Sequence, residues 1–201
     1  MAGSRTLRPA AALAAAAMAV TALLAQAPAA TAVPAPPAPH LRATPNLPPL
    51  PPDAAVVPGA AVYVDQHTAT AGTLLTVTLS LTNTESTDIN FVYEYLQATW
   101  PENQNQNAYA VVSCTGDITD CTHTDKNAAL HLNTPIPPGA TRTVKVGVQI
   151  PANLSCYQQL NLNWVPYIYY EFNNATQAKD QNWQQGLPAL QTTILCPAQP
   201  A

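Results

Sequence analysis

Leu75-Thr-Val-Thr-Leu-Ser-Leu-Thr82 alternates apolar and hydroxyl residues without a break, and no other feature constrains the fold so tightly. A period of two puts Leu75, Val77, Leu79 and Leu81 on one face of an extended chain, which a helix of 3.6 residues per turn cannot do. Thr143 to Ile150 repeats the pattern, with Val144, Val146, Val148 and Ile150 inward and Thr143, Lys145 and Gln149 outward. Weaker runs predict strands over Ala61–His67, Asp88–Leu96, Tyr109–Cys114, Asn127–Leu132, Leu160–Phe172 (interrupted at Pro166) and Ala189–Leu195. Ala71-Gly72, Asn83 to Asp88 and Pro137-Pro138-Gly139 punctuate them as turns. The expected class is all-β, an antiparallel sandwich of about 7–9 strands, a barrel being the other closed solution. One stretch departs from the pattern. Asn174 as a cap, Gly186 and Pro188 predict a short helix near 175–185, a polar loop being the alternative.

The first 58 residues have a different composition. Arg5 and Arg8, the uncharged run Ala10–Leu24 and the triplet Ala30-Thr31-Ala32 form a secretory signal peptide, 1–32, with Val33 the expected mature N-terminus. That alanine-rich run falls short of the roughly 20 strongly apolar residues a membrane span needs, so no span is expected in the mature chain. Ten of the 26 residues from 33 to 58 are proline. Proline fixes φ and donates no N–H, so this segment is expected to be a disordered linker of polyproline II character. The remainder, 59–201, is expected to fold as one domain with a C-terminal extension. A net charge of -4 and only 7 basic residues in 201 leave no means of neutralising a run of phosphates, which excludes a nucleic-acid binder.

His67-Thr-Ala-Thr-Ala-Gly-Thr-Leu-Leu-Thr-Val-Thr-Leu-Ser-Leu-Thr-Asn-Thr-Glu-Ser-Thr-Asp88 resembles the opening of bacterial extracellular immunoglobulin-like repeats of the DUF11 and CARDB type. There a glycine turn precedes an alternating strand that ends in Thr-Asn and a polar turn. Cys114 and Cys121, followed by Ile136-Pro-Pro-Gly-Ala-Thr-Arg-Thr-Val-Lys-Val-Gly-Val-Gln-Ile150, are similar to that family's paired cysteines, Pro-Gly turn and last valine-rich strand. The resemblance covers about residues 62 to 150 and ends at Pro151. It implies an immunoglobulin-like sandwich with a structural or adhesive role, without a defined ligand. Usage of alanine, proline and threonine is that of an actinobacterial-type protein.

Four cysteines in an exported chain are expected to be oxidised, with three possible connectivities. Cys114 and Cys121 flank a Gly116-Asp117 turn and can face each other across a hairpin, which leaves Cys156 for Cys196. The rival is a zinc site of Cys114, Cys121, His123 and His131, whose spacing is looser than that of structural zinc motifs. Asp117, Asp120 and Asp125 are candidate calcium ligands but lack the alternating spacing of a dedicated loop, so neither metal nor cofactor is expected.

Catalysis finds little support. His40, His67, His123 and His131 stand in no nucleophile-elbow or metalloprotease frame, and only a triad assembled in space would supply one. The most suggestive segment is Trp164-Val-Pro-Tyr-Ile-Tyr-Tyr-Glu-Phe172, in which alternation separates Tyr167 and Tyr169 from Ile168, Tyr170 and Phe172. The preferred expectation is that these rings are core on both faces, covered by the segment 173–188 with Trp183. The alternative is that Trp164, Tyr167, Tyr169, Tyr170 and Trp183 include an exposed stacking surface for sugar rings, with Asn161, Asn163, Asn173, Asn174, Gln158 and Gln159 bonding hydroxyls. Three functions follow. The first is a secreted, non-catalytic module of the bacterial cell surface or matrix, the second a carbohydrate-binding module, the third an exported enzyme of unknown chemistry. Cell-wall or other polysaccharide, or a surface protein, is the expected partner.

Overall fold

The computed structural model describes residues 49–99, 108–154, 159–183 and 187–196. The signal peptide, most of the linker and Cys156 lie outside the described residues. Twelve strands form two sheets: β1 (Ala55–Val57), β2 (Ala60–Val64), β3 (Thr68–Ala69), β4 (Leu74–Thr82), β5 (Ile89–Thr99), β6 (Ala110–Gly116), β7 (Ile118–His123), β8 (Asn127–Leu132), β9 (Thr141–Gln149), β10 (Leu160–Phe172), β11 (Gln177–Asn182) and β12 (Gln191–Ile194). The five-stranded sheet runs β1-β2-β4-β9-β6, and the other runs β3-β12-β10-β5-β8-β7 with β11 also paired to β10. The order β2-β4-β9-β6 against β12-β10-β5 is that of an immunoglobulin sandwich, extended here beyond β5 by β8 and β7.

The two alternating runs of the sequence are neighbours at the centre of the five-stranded sheet, where Leu75 pairs with Val148, Val77 with Val146 and Leu79 with Val144. All six side chains are fully buried. Facing them from the second sheet are Val92, Leu96, Leu130, Leu162, Trp164 and Ile168, so both sheets contribute alternate residues to one core. At about 1.5–3 kcal/mol for each fully buried aliphatic side chain, this alternation is the main force holding the sheets face to face.

The structure corrects four expectations. The described residues alone form twelve strands rather than 7–9, because β1, β3, β7 and β11 are short or polar and carry little apolar alternation. The sandwich begins at Ala55, inside the segment assigned to the linker. There Pro58 and Gly59, with Gly59 at φ 80°, turn Val56 and Val57 back onto β2. The described part of the segment expected to be helical, residues 175–183, is not a helix: Asn173, Asn174 and Ala175 adopt positive φ and turn the chain into β11, which pairs antiparallel with β10. Asparagine tolerates that backbone region, and the hydrogen bonds β11 makes to β10 outweigh a weak helical preference. Finally, Pro166 does not interrupt β10. It pairs in register with Leu96, and on the opposite edge it falls between Asn163–Gln191, the last pair with β12, and Tyr167–Asn182, the first with β11, where no paired neighbour needs its missing N–H.

Candidate binding face on the seven-stranded sheet

Because β5 and β10 are adjacent and antiparallel, their outward side chains stand in opposed pairs: Tyr95 with Tyr167, Tyr93 with Tyr169, and Phe91 with Glu171. On the far side of β5, β8 places His131 opposite Tyr93. Ring centroids lie 5.4 Å apart for Phe91 and His131, 5.6 Å for Tyr93 and His131, 6.1 Å for Phe91 and Tyr169, and 6.4 Å for Tyr93 and Tyr167. Four phenyl or phenol rings and one imidazole are thus linked ring to ring, with Tyr95 opposite Tyr167 at their end, on the outside of a sheet whose inner face is already filled. Phe91 is exposed, and the four tyrosines and His131 are half-buried.

The rings are fixed by each other and by their own strands. Each neighbouring pair is tilted, with interplanar angles from 56° to 66°, as edge-to-face quadrupole attraction favours. Tyr169 donates its hydroxyl to Oε1 of Glu171 at 2.8 Å, and Tyr95 donates to Oε1 of Gln97 at 3.3 Å. The carboxylate of Glu171 makes loss of the Tyr169 proton less favourable and raises its pKa. Carboxylates border the patch on both flanks, Asp180 on β11 opposite Tyr169 and Asp120 on β7 opposite His131.

The aromatic residues singled out in the sequence divide between two roles. Tyr167 and Tyr169 belong to this face. Trp164, Tyr170 and Trp183 are buried, with only 1%, 4% and 4% exposure, and serve the core. Trp164 packs edge-on against Tyr109 with centroids 5.5 Å apart and donates its indole N–H to Thr192, while Trp183 donates to the carbonyl of Ala55. Tyr170 donates to Glu85, and burial raises its pKa above the ordinary phenol range. The expectation of core on both faces is therefore corrected. After the turn at 173–176, residues 177–182 pair with the edge of β10 instead of folding over its outer face, and so do not cover Tyr167 and Tyr169. Phe91, Tyr93 and Tyr95 are the residues that sequence reasoning missed. Their signal was the alternation Phe91-Val-Tyr93-Glu-Tyr95-Leu96, and only the pairing of β5 with β10 gives it meaning.

Among the described residues the remaining candidates do not assemble a reactive site. Cys114 and Cys121 form a disulfide with Cα atoms 6.3 Å apart, which consumes both thiolates a zinc ion would use. Cys196 is also disulfide-bonded, while Cys156, its expected partner, lies outside the described residues. The Asp117 carboxylate accepts the backbone N–H of Thr143 at 2.9 Å, whereas Asp120 faces outward on β7 and Asp125 sits in the turn before β8. Among the described residues no three His, Cys, Asp or Glu groups converge to hold a metal ion. His67 engages both ring nitrogens, Nε2 with the Asp53 carboxylate and Nδ1 with the carbonyl of Gln191. Two acceptors favour the doubly protonated ring, so the Gln191 carbonyl and then Asp53 raise the His67 pKa and leave no free nitrogen to act as a base.

A groove of about 550 Å³ lies on the outside of the five-stranded sheet, between Leu50, Val56 and Tyr63 and the hydroxyl rows of β4 and β9. Those hydroxyls bond one another, Ser80 to Thr143 at 3.1 Å and Thr82 to Thr141 at 2.8 Å.

No protein-family model and no curated protein sequence matches the chain. Among solved structures it is similar to a non-cellulosomal cohesin from the archaeon Archaeoglobus fulgidus, with a TM-score of 0.42, 11% identity, and coverage of 68% of this chain and 91% of that one. A cohesin module from a Clostridium perfringens family 33 glycoside hydrolase gives 0.43 at 11% identity, covering 70% and 97%. The major pilin subunit of Bacillus cereus gives 0.46 at 4% identity, covering 68% and 40%. At TM-scores below 0.5 these likenesses say nothing about the site.

Proposed function

We propose that the chain is an exported, non-catalytic immunoglobulin-like module of a bacterial cell surface or matrix, held on a proline-rich stalk, with the aromatic face of its seven-stranded sheet as the adhesive surface. The observation that carries this reading is the contiguous cluster of Phe91, Tyr93, Tyr95, Tyr167, Tyr169 and His131 on a sheet whose core is complete without them. Rings of this kind bury large area on contact at small cost in side-chain entropy, which is why tyrosine and tryptophan concentrate in recognition surfaces. The leader at 1–32 and the linker that follows support export and display.

A carbohydrate ligand is the second reading, favoured by the amides Gln97, Asn163 and Asn182 at the margins of the rings. Retention of the purified chain on bacterial cell envelopes tests the adhesive function. The Tyr167→Ala/Tyr169→Ala double variant is expected to melt normally and to lose retention; full retention by that variant would show that the face is not the adhesive surface.

A further inference from the structure

The geometry points to an extended polypeptide segment with spaced arginine or lysine side chains as the partner of the aromatic face, an inference that rests on reading that face as the binding surface. Register identifies every outward position of β7, β8, β5, β10 and β11. The charged ones are Asp120, Glu171 and Asp180, and no lysine or arginine occupies an outward position of these strands among the described residues. The nearby cations are committed elsewhere: Lys179 to Glu85 at 2.7 Å, and Lys126 to the carbonyl of Tyr109 at 2.6 Å.

Electron-rich ring faces between carboxylates form a cation-binding surface, because the ring quadrupole attracts a cation and the flanking carboxylates supply ion pairs. Guanidinium is the best-matched group. Its flat face stacks on a tyrosine while its edge reaches Glu171 or Asp180. The same surface repels an acidic partner. The dimensions set the size of that partner. Four strand intervals separate β7 from β11, about 19 Å at about 4.8 Å each, and residues 91 to 97 span about 20 Å along β5. The resulting area of about 400 Å² is half of what one side of a stable domain–domain interface buries, and it fits a single extended segment.

The test uses the full exported chain and follows the ring resonances of Phe91, Tyr167, Tyr169 and His131 by NMR. Three probes are added: a glycine peptide with arginine at alternate positions, the same peptide with citrulline, which keeps the shape without the charge, and a neutral cello-oligosaccharide. The arginine peptide is expected to shift the rings saturably, with the citrulline peptide about tenfold weaker and the Glu171→Gln/Asp180→Asn variant weakened to a similar degree at unchanged melting temperature. Equal binding of the citrulline peptide, or full affinity in that variant, overturns the cationic partner. Binding of the oligosaccharide with silence from the arginine peptide keeps the binding face and overturns its partner class. Silence from all three probes removes the binding face as well.

Discussion

The phenol of Tyr170 donates a hydrogen bond to Oε1 of Glu85 at 2.9 Å, although the two residues are 85 positions apart in the chain. Lys179 reaches the same oxygen at 2.7 Å, and its hydrogen bond is the main reason the Glu85 pKa is lowered. The turn after β4, the inner face of β10 and the strand β11 therefore meet at one carboxylate.

The two faces of β10 should respond to mutation in opposite ways. Tyr170→Phe removes a bond to a charged acceptor and is expected to cost about 1–2 kcal/mol, and Tyr170→Ala about 3–5 kcal/mol through the cavity it leaves. Tyr167→Ala and Tyr169→Ala, whose rings are half-exposed, should stay within about 1 kcal/mol of the parent. Chemical denaturation of the four variants measures this, and strong destabilisation by either outer tyrosine would place its ring in the core.

Glu94 lies on the inner face of β5, fully buried, opposite Ile168 and Leu130, and neither carboxyl oxygen has a hydrogen-bond partner. Burial pushes its pKa from the ordinary 4.5 up to about 8. The folded state holds the proton that the unfolded chain releases, so stability is fully present below pH 4.5 and declines as pH rises to about 8. Across that window Glu94 is expected to remove about 1.4 kcal/mol for each pH unit. Glu94→Gln should match the parent near pH 4 and exceed it increasingly toward pH 8. Parallel stability curves for the two proteins would contradict an unpaired carboxyl in the core.

Gly116 and Gly139 both have positive φ, at 113° and 77°, but their surroundings differ. A Cβ on Gly116 would collide with the carbonyl oxygen of Thr143 on β9, whereas one on Gly139 meets nothing within 4 Å. Gly139→Ala is expected to cost about 1 kcal/mol from backbone strain alone, and Gly116→Ala distinctly more, since the β6–β9 ladder must shift. Similar melting temperatures for the two variants would refute that close approach.

Peptide mapping of secreted protein under non-reducing conditions should recover Cys114 joined to Cys121 and Cys156 joined to Cys196, with Val33 as the first residue. The chain-entropy treatment gives the short loop roughly 2.5 kcal/mol, so Cys114→Ser/Cys121→Ser should lower stability by about that amount. Cys121 joined to Cys156, or an intact Met1, would contradict the pairing and the cleavage site respectively.

The sequence by itself determined the central strands and which of their faces is core, because alternation in Leu75–Thr82 and Thr143–Gln149 is a local property: each residue's face follows from its parity, whichever strand lies beside it. It also placed Cys114 and Cys121 close enough to pair, since they are only seven positions apart, but the hairpin expected between them does not form: β6 and β7 lie in different sheets, and the disulfide links one sheet to the other. The binding face was only half legible. Parity separates Tyr167 and Tyr169 from Tyr170, but it does not say whether the outer set is covered. That depends on where residues 173–182 go, and three residues with positive φ send them to the edge of β10. Nor does parity say that Phe91, Tyr93 and Tyr95 stand beside those tyrosines, because 64 or more residues separate the members of every opposed β5–β10 pair. Non-local pairing is decided by the total burial of the assembled sheets, a quantity no window of the sequence contains, so only the tertiary structure brings the rings together.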